Sequence, residues 1–584
     1  MTQARPASQE LAAAGNLPGD GEGAGRALDV IAILALVAFV AVPALFARDL
    51  WNPDEPRYME VAREMVVLGD YLVPHLNGEV YSQKPPLFFW LVGALWRMGA
   101  GYNAARLVSL LAVAGTLLLT YALVRALQGR RTALLAAFAS ASTVLVLSFT
   151  KAGVLDPLLT LLVTGAMVTG FRAFHKEATR RTTLWLICYG CMGLATLTKG
   201  PVGFILPGLS LLAYGVVMRK EVRGGGLAHL AGVGLFAAIV LAWLVPAIIA
   251  GGADYARAIL LKQNIGRAVG SWSHRNPFYY YLWKWPIHFF PWSFALPLAL
   301  VAVLRQRRAA GPLPLLAALW LLVPFAFLSL VSGKRINYLL PVMPAVGMLC
   351  AWYVTLDPRD KGGLLRAERW LYGAACALVA VAALLMMIVA VVAPAMVQRE
   401  YPAAEFGKQI AEFLTPGRKA GVTALLAVPL AGAVWGLARP SAPSVRKWCV
   451  LGLAFLSFSL PVDLFFTPAA NLVKSGKHFG QTVSDYAGPG KPVYLYADDY
   501  SGVYNLWTSR ARMPMLLTLQ ELTDELAEPD SLVIGDLKRF RKVLGNDEIE
   551  SRLINREYVG HRIILLLRGG PLPFAGPLGQ TDSQ

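Results

Sequence analysis

The sequence predicts an α-helical polytopic membrane protein with a small α/β domain after its last span. Three observations predict it. Of the 584 residues, 56% are hydrophobic and only 15% charged, and the mean hydropathy is positive. Apolar stretches of about 17 to 25 residues, long enough to cross a hydrocarbon core, recur along the chain. After residue 467 they give way to short apolar runs alternating with helical patterning, as expected of strands and helices in turn.

Residues 1–28, rich in Gly, Ala and acids, read as a disordered cytoplasmic tail. The next apolar run lacks the basic lead of a secretory signal and reads as an uncleaved anchor from about Val30 to Ala47. Twelve more spans are expected near 104–125, 132–150, 157–173, 183–198, 201–218, 228–250, 289–304, 312–331, 337–354, 370–393, 420–438 and 448–466, so the membrane domain covers 29–467.

An odd total of thirteen spans puts the termini on opposite sides, and the basic loops decide which is which. Clusters at Arg125–Arg131, His175–Arg181, Arg219–Arg223, Arg305–Arg308, Arg366–Trp370 and Arg439–Lys447 all fall on one side of this count. Short loops rich in Lys and Arg stay in the cytoplasm, so the N-terminus is expected inside and the C-terminal domain outside. The same loops account for the net charge of +18, and no nucleic-acid partner is expected.

The first outer loop, 48–103, carries two amphipathic helices, near 57–68 and 86–98. The second, "PPLFFWLVGALWRM", is too short to span and is expected to lie in the interface plane. If it crossed, every basic cluster would face outward. In the C-terminal domain, 468–584, "KPVYLYADD", "DSLVIGD" and "RIILLLR" read as strands, and Thr518 to Glu521 forms a capping box.

All five cysteines lie in apolar stretches and read as small buried hydrophobes, so no disulfide framework follows. Cys188 and Cys191 have the spacing of a redox or zinc pair, but they sit in a span with no second pair nearby.

Chemistry is sought on the outer face, where basic residues run against the positive-inside trend. Lys84, Lys151, Lys199, Arg267 and Lys334 describe an anion-binding depression flanked by Asp54 and Asp156. Each has a plainer reading beside it. Glu55, before Pro56, suits a helix start, and Asp156, before Pro157, suits an N-cap. A lysine such as Lys84 can snorkel to headgroups. The aromatics around His274 and Arg275 can form an interfacial girdle or a surface that stacks sugars and clamps phosphate. His274 with the carboxylates could bind a divalent ion, although the spacing fits no metal signature.

The stretch "WNPDEPRYMEVAREMVVLGDYLVPHLNGEVYSQKPPLFFW" closely resembles the first periplasmic loop of GT-C fold membrane glycosyltransferases of the dolichyl-phosphate-mannose protein mannosyltransferase-like family, nearest its lipid A aminoarabinose transferase branch. The resemblance continues through "LDP" at Asp156, "TKGP" at Lys199, "NIGR" at Asn264–Arg267, "HRNPFYYY" at His274 and "SGKRINYLLPVMP" at Lys334 and Tyr338. It implies an inverting enzyme of the bacterial inner membrane that moves a sugar from undecaprenyl phosphate to lipid A or another envelope acceptor on the periplasmic side. It also implies that Asp54 activates the acceptor with help from Asp156. Lys84 and Arg267 would hold the donor phosphate, with Lys199 and Lys334, and Arg57, Tyr58, Tyr338 and His274 would complete the substrate site.

The chain departs from this branch at Gln83, where lipid A aminoarabinose transferases carry a glutamate associated with metal binding. No cofactor is therefore expected to be required, and Glu55 and His274 stand as the candidate ligands should a divalent metal take part. Protein O-mannosylation is the alternative within the family. Transport of a lipid-linked sugar fits less well, because the polar residues crowd one face and no internal repeat is present.

Overall fold

The computed structural model describes residues 20–175, 178–219, 226–260, 275–400, 415–488, 490–497, 502–560 and 562–571. It separates into two compact units. The first comprises Met1–Ala47, Tyr71–Val73 and Ser82–Thr467, and the second Arg48–Asp70, Pro74–Tyr81 and Pro468–Gln584.

The first unit is helical. Among the described residues of the chain, nine helical stretches are long and apolar enough to cross a membrane, and Val202–Val217 and Trp292–Gln306 are shorter apolar helices. This is a multi-pass membrane protein. Nine differs from thirteen partly because helices merge. The expected spans 104–125 and 132–150 share the helix Ala104–Ala141, broken where Gly129 adopts φ +81, and the second ends early at the extended residue Thr143 before Val144–Thr150. The helix Leu87–Leu95 has only nine residues, a length of about 14 Å, and so it is too short to cross.

Close helix contacts depend on small residues. The helix Met343–Thr355 packs on Ala104–Ala141 at Gly347, where an added Cβ would press on the Ala136 carbonyl and Ser140 Oγ. Two buried carboxylates, Asp29 and Glu368, are paired with cations, which offsets the cost of desolvation. Asp29, 2% exposed, takes hydrogen bonds from Tyr121, Arg125 and Arg130. Glu368, fully buried, is held by Lys361, Lys447, Tyr353 and Trp448. All five cysteines are free.

The second unit is built on a five-stranded sheet of order β4-β3-β5-β7-β6, with β3 Val493–Tyr496, β4 Met515–Leu516, β5 Leu532–Asp536, β6 Leu553–Val559 and β7 Arg562–Arg568. The strand β3 runs parallel to β4 and β5, and β7 runs antiparallel to β5 and β6. Helices cover both faces, which explains why "LVIG" and "IILLL" are unbroken apolar runs. Leu532, Ile534, Ile564 and Leu566 join one core with Phe479 and Tyr504, while Val533, Leu565 and Leu567 join another with Leu522 and Phe540. The expected capping box forms: Glu521 N donates to Thr518 Oγ1 at 3.2 Å, and Thr518 N to Glu521 Oε2 at 3.3 Å.

The same unit holds the first-loop helix Asp54–Leu68 and a two-stranded hairpin, β1 His75–Leu76 and β2 Glu79–Val80. The turn residues Asn77 and Gly78 have φ of +58 and +74, as a tight Asn-Gly turn needs.

Candidate active site

In the first unit, three chain turns bring Asp156, Lys199 and Tyr338 together. Asp156 opens the helix Asp156–Phe174, with Pro157 setting its first turn. Lys199 closes the helix Ala178–Lys199; Gly200, at φ +77, ends it, and Pro201 leads into the next. Tyr338 lies in the short turn Ile336–Val342.

The Lys199 ammonium is bonded to the Asp156 carboxylate and sits 4.4 Å from the centre of the Tyr338 ring. Both charged side chains are over nine-tenths buried. Asp156 does not act as an N-cap: the cap residue is Leu155, and no side-chain capping bond forms. A buried ammonium is a stronger partner for the carboxylate than a backbone N–H.

Lys334 is buried and donates to the Asn276 carbonyl at 2.9 Å, while Asn276 Nδ2 donates to the Lys334 carbonyl at 3.1 Å. Tyr281 adds a bond to the Arg335 carbonyl at 3.2 Å, so "RNPFYYY" and "SGKRINY" are laced together. Burial moves the Lys334 pKa below the usual lysine value.

Lys151 has an acid partner of its own in this unit. Its ammonium bonds Asp463 at 2.6 Å and Ser459 at 2.7 Å and is neutralised there. Lys84 is half-buried in the bend before Pro85 and Pro86, and it belongs to the first unit. Arg267 and His274 lie outside the described residues.

In the second unit, Asp54 is the first residue of its helix and is half-buried; Arg57 is half-buried and Tyr58 buried. Glu55 is 3% exposed, accepts the Trp51 N–H at 2.8 Å and pairs with Arg48 at 2.8 Å. It does not cap the helix, whose cap residue is Pro53 with no side-chain capping bond; its carboxylate instead holds the turn before the helix, and this use competes with metal ligation. Among the described residues, no three His, Cys, Asp or Glu converge as a metal-ligand set.

Several polar residues here were not anticipated. Asn471 Oδ1 accepts both the Asp49 N–H at 3.1 Å and the Trp51 indole N–H at 2.8 Å. Glu64 accepts the Asn77 N–H at 2.6 Å and the Gly78 N–H at 3.1 Å. The Asn77 amide in turn bonds Met513 and Asn505. The hairpin was not anticipated either, although an Asn-Gly pair between short runs is a signal that could have found it; nothing local signalled its distant partners. Both amide atoms of Asn52 are buried and find no hydrogen-bond partner among the described residues.

The model of the dolichyl-phosphate-mannose-protein mannosyltransferase family matches residues 26–261. The crystal structure of ArnT from Cupriavidus metallidurans bound to undecaprenyl phosphate superposes with a TM-score of 0.72 over 94% of this chain and 99% of that one, at 20% identity. The chain has the GT-C fold. This GT-C chain is also 36% identical over 366 residues to the undecaprenyl phosphate-alpha-4-amino-4-deoxy-L-arabinose arabinosyl transferase of Pectobacterium carotovorum, covering 60% of its own length and 64% of the relative's. The Pseudomonas aeruginosa enzyme of the same name is 34% identical over 360 residues, with the same coverage. The match therefore spans a little under two thirds of these relatives. The expected resemblance to this family, and to its aminoarabinose transferases, is borne out.

Proposed function

We propose that the protein is a membrane glycosyltransferase. It moves an aminoarabinose-like sugar from undecaprenyl phosphate to lipid A or another envelope acceptor, with inversion. The observation that carries this reading is the buried Asp156–Lys199–Tyr338 group, formed by the motifs through which the chain resembles the named arabinosyl transferases. The positive-inside pattern supports chemistry on the periplasmic side of the bacterial inner membrane, with the N-terminus in the cytoplasm and the sheet domain outside.

In the proposed reaction the acceptor oxygen attacks the anomeric carbon as the bond from that carbon to the phosphate oxygen breaks. Asp54 takes the acceptor's proton as general base. Undecaprenyl phosphate leaves with the bonding electrons, and Lys84 and Arg267 balance its growing charge. Lys199 adds positive potential, with Asp156 and Tyr338 fixing its position. Lys334 is a further cation for the donor, and Arg57, Tyr58 and His274 contact the substrates. The sugar–phosphate bond is already energised before the sugar reaches this side, so the transfer needs no ATP.

The test is transfer by the purified protein from undecaprenyl phosphate-aminoarabinose to lipid A, read by mass spectrometry. The expected product is lipid A heavier by one aminoarabinose. Asp54→Asn should lower turnover at least ~100-fold, within the range for a lost general base. Unmodified lipid A with active, folded protein and intact donor would reject this donor and acceptor pair. Near-normal turnover by Asp54→Asn would remove Asp54 from the mechanism.

A further inference from the structure

The segment carrying Asp54 is fastened to residues more than four hundred positions away in sequence, all within the second unit. Asn471 Oδ1 accepts the Asp49 N–H at 3.1 Å and the Trp51 indole N–H at 2.8 Å, spanning sequence separations of 422 and 420 residues. Asn52 N donates to the Lys474 carbonyl at 3.0 Å, and Trp51 forms a bridge with Ser475. Glu55 accepts the Trp51 N–H at 2.8 Å, so indole and backbone of one residue are tied to both sides. The Arg48 guanidinium lies 4.1 Å from the centre of the Trp51 ring and pairs with Glu55, completing the brace.

We propose that Asn471 is a positioning residue for Asp54. One carboxamide oxygen holds the backbone of Asp49 and the side chain of Trp51, and it thereby sets where the helix Asp54–Leu68 begins and where the Asp54 carboxylate stands. An oxygen that accepts two N–H groups fixes both direction and distance, whereas an apolar side chain of equal size fixes neither. A catalytic carboxylate displaced by ~1 Å can lose ~100-fold in rate while substrate binding elsewhere is unchanged. Asn471 touches no substrate in this scheme and acts through Asp49 and Trp51.

The inference rests on Asp54 being the base, so the full-length protein is assayed with undecaprenyl phosphate-aminoarabinose and lipid A alongside Asp54→Asn. Asn471→Leu removes the accepting oxygen, and Asn471→Asp keeps it. The expected result is a kcat lowered at least ~10-fold in Asn471→Leu, with the donor KM within ~2-fold of wild type, and substantial recovery in Asn471→Asp. Wild-type kcat in Asn471→Leu, or a loss that Asn471→Asp does not relieve, overturns the inference while leaving an inactive Asp54→Asn to support the base. Normal turnover in Asp54→Asn overturns both. Should Asn471→Leu fail to fold, Trp51→Phe removes one of the two donors and keeps the ring beneath Arg48. It is expected to show the same drop in kcat at constant donor KM, and an unchanged kcat overturns the proposal.

Discussion

Lys199 is bonded to Asp156 and lies against the face of Tyr338, so one ammonium joins the end of one helix, the start of another and a turn from a third segment. Removing one member of a buried pair strands the other charge, at a typical cost of about 3–5 kcal/mol. Asp156→Asn and Lys199→Gln are each expected to lower the thermal midpoint clearly. The double variant should lose less than the two single losses combined, because neither charge is then left alone. Thermal unfolding of the four proteins in one detergent measures this coupling; simple additivity would contradict it.

Tyr338 meets Lys199 through its ring rather than its hydroxyl. Tyr338→Phe should therefore stay within about 0.5 kcal/mol of wild type, while Tyr338→Leu loses a cation–π contact of about 0.5–2 kcal/mol. Equal losses in the two variants would show that the hydroxyl, not the face, matters.

Lys84 is proposed to hold the donor phosphate, so Lys84→Ala should weaken binding of undecaprenyl phosphate about tenfold or more, the scale of one charge-assisted contact. Lys84→Arg should retain much of the affinity. Titration of the purified variants with the lipid phosphate decides it, and unchanged affinity in Lys84→Ala returns the residue to the headgroup-snorkelling role.

Glu60 sets a pH dependence in the second unit. Burial pushes its carboxyl up to about 7, against the opposing pull of Arg63, which grips it with two bonds of 2.7 Å. From the ordinary value of 4.5 to about 7, the folded state holds a proton that the unfolded state has released. Its contribution to stability is therefore fullest below about 4.5 and falls as pH rises through about 7, by at most ~3 kcal/mol. Glu60→Gln does not titrate, so the thermal midpoint of wild type relative to Glu60→Gln should drop between pH 5 and pH 8. A pH-independent difference would refute the assignment.

Gly347 lets two helices touch. Gly347→Ala places a methyl group against the Ala136 carbonyl and Ser140 Oγ, and overpacking of this kind costs about 1–3 kcal/mol. A thermal midpoint equal to wild type would mean that the helices can part without cost.

The membrane helices were readable because apolar length is a local property, and so were the three longer apolar strand stretches, β3, β5 and β7. The strands β4 and β6 were not anticipated. Met515–Leu516 pairs over two residues, and Leu553–Val559 is an edge strand rich in polar residues with a register shift near Leu553 and Asn555. Pairing with neighbours, rather than local apolarity, makes them strands. At the site, motif and charge pointed to Asp156, Lys199 and Tyr338, because an acid, a base and an aromatic ring on turns between apolar helices are conspicuous. Their mutual contact was not readable, and neither was the capture of Lys151 by Asp463, some three hundred residues away. Asn471 and Asn505 gave no signal, since an asparagine that holds a distant backbone looks like any other polar residue.

The Asn-Gly hairpin at residues 77–78 has a consequence for biosynthesis. The amide of Asn77 is satisfied by Met513, 436 positions later in the chain. At about 5–20 residues per second, a ribosome needs on the order of 20–90 s to deliver that partner. For that interval the hairpin lacks its final partners, and its polar turn must be served by water. Maturation of this early loop is therefore a late event, completed only after most of the polypeptide has been synthesised.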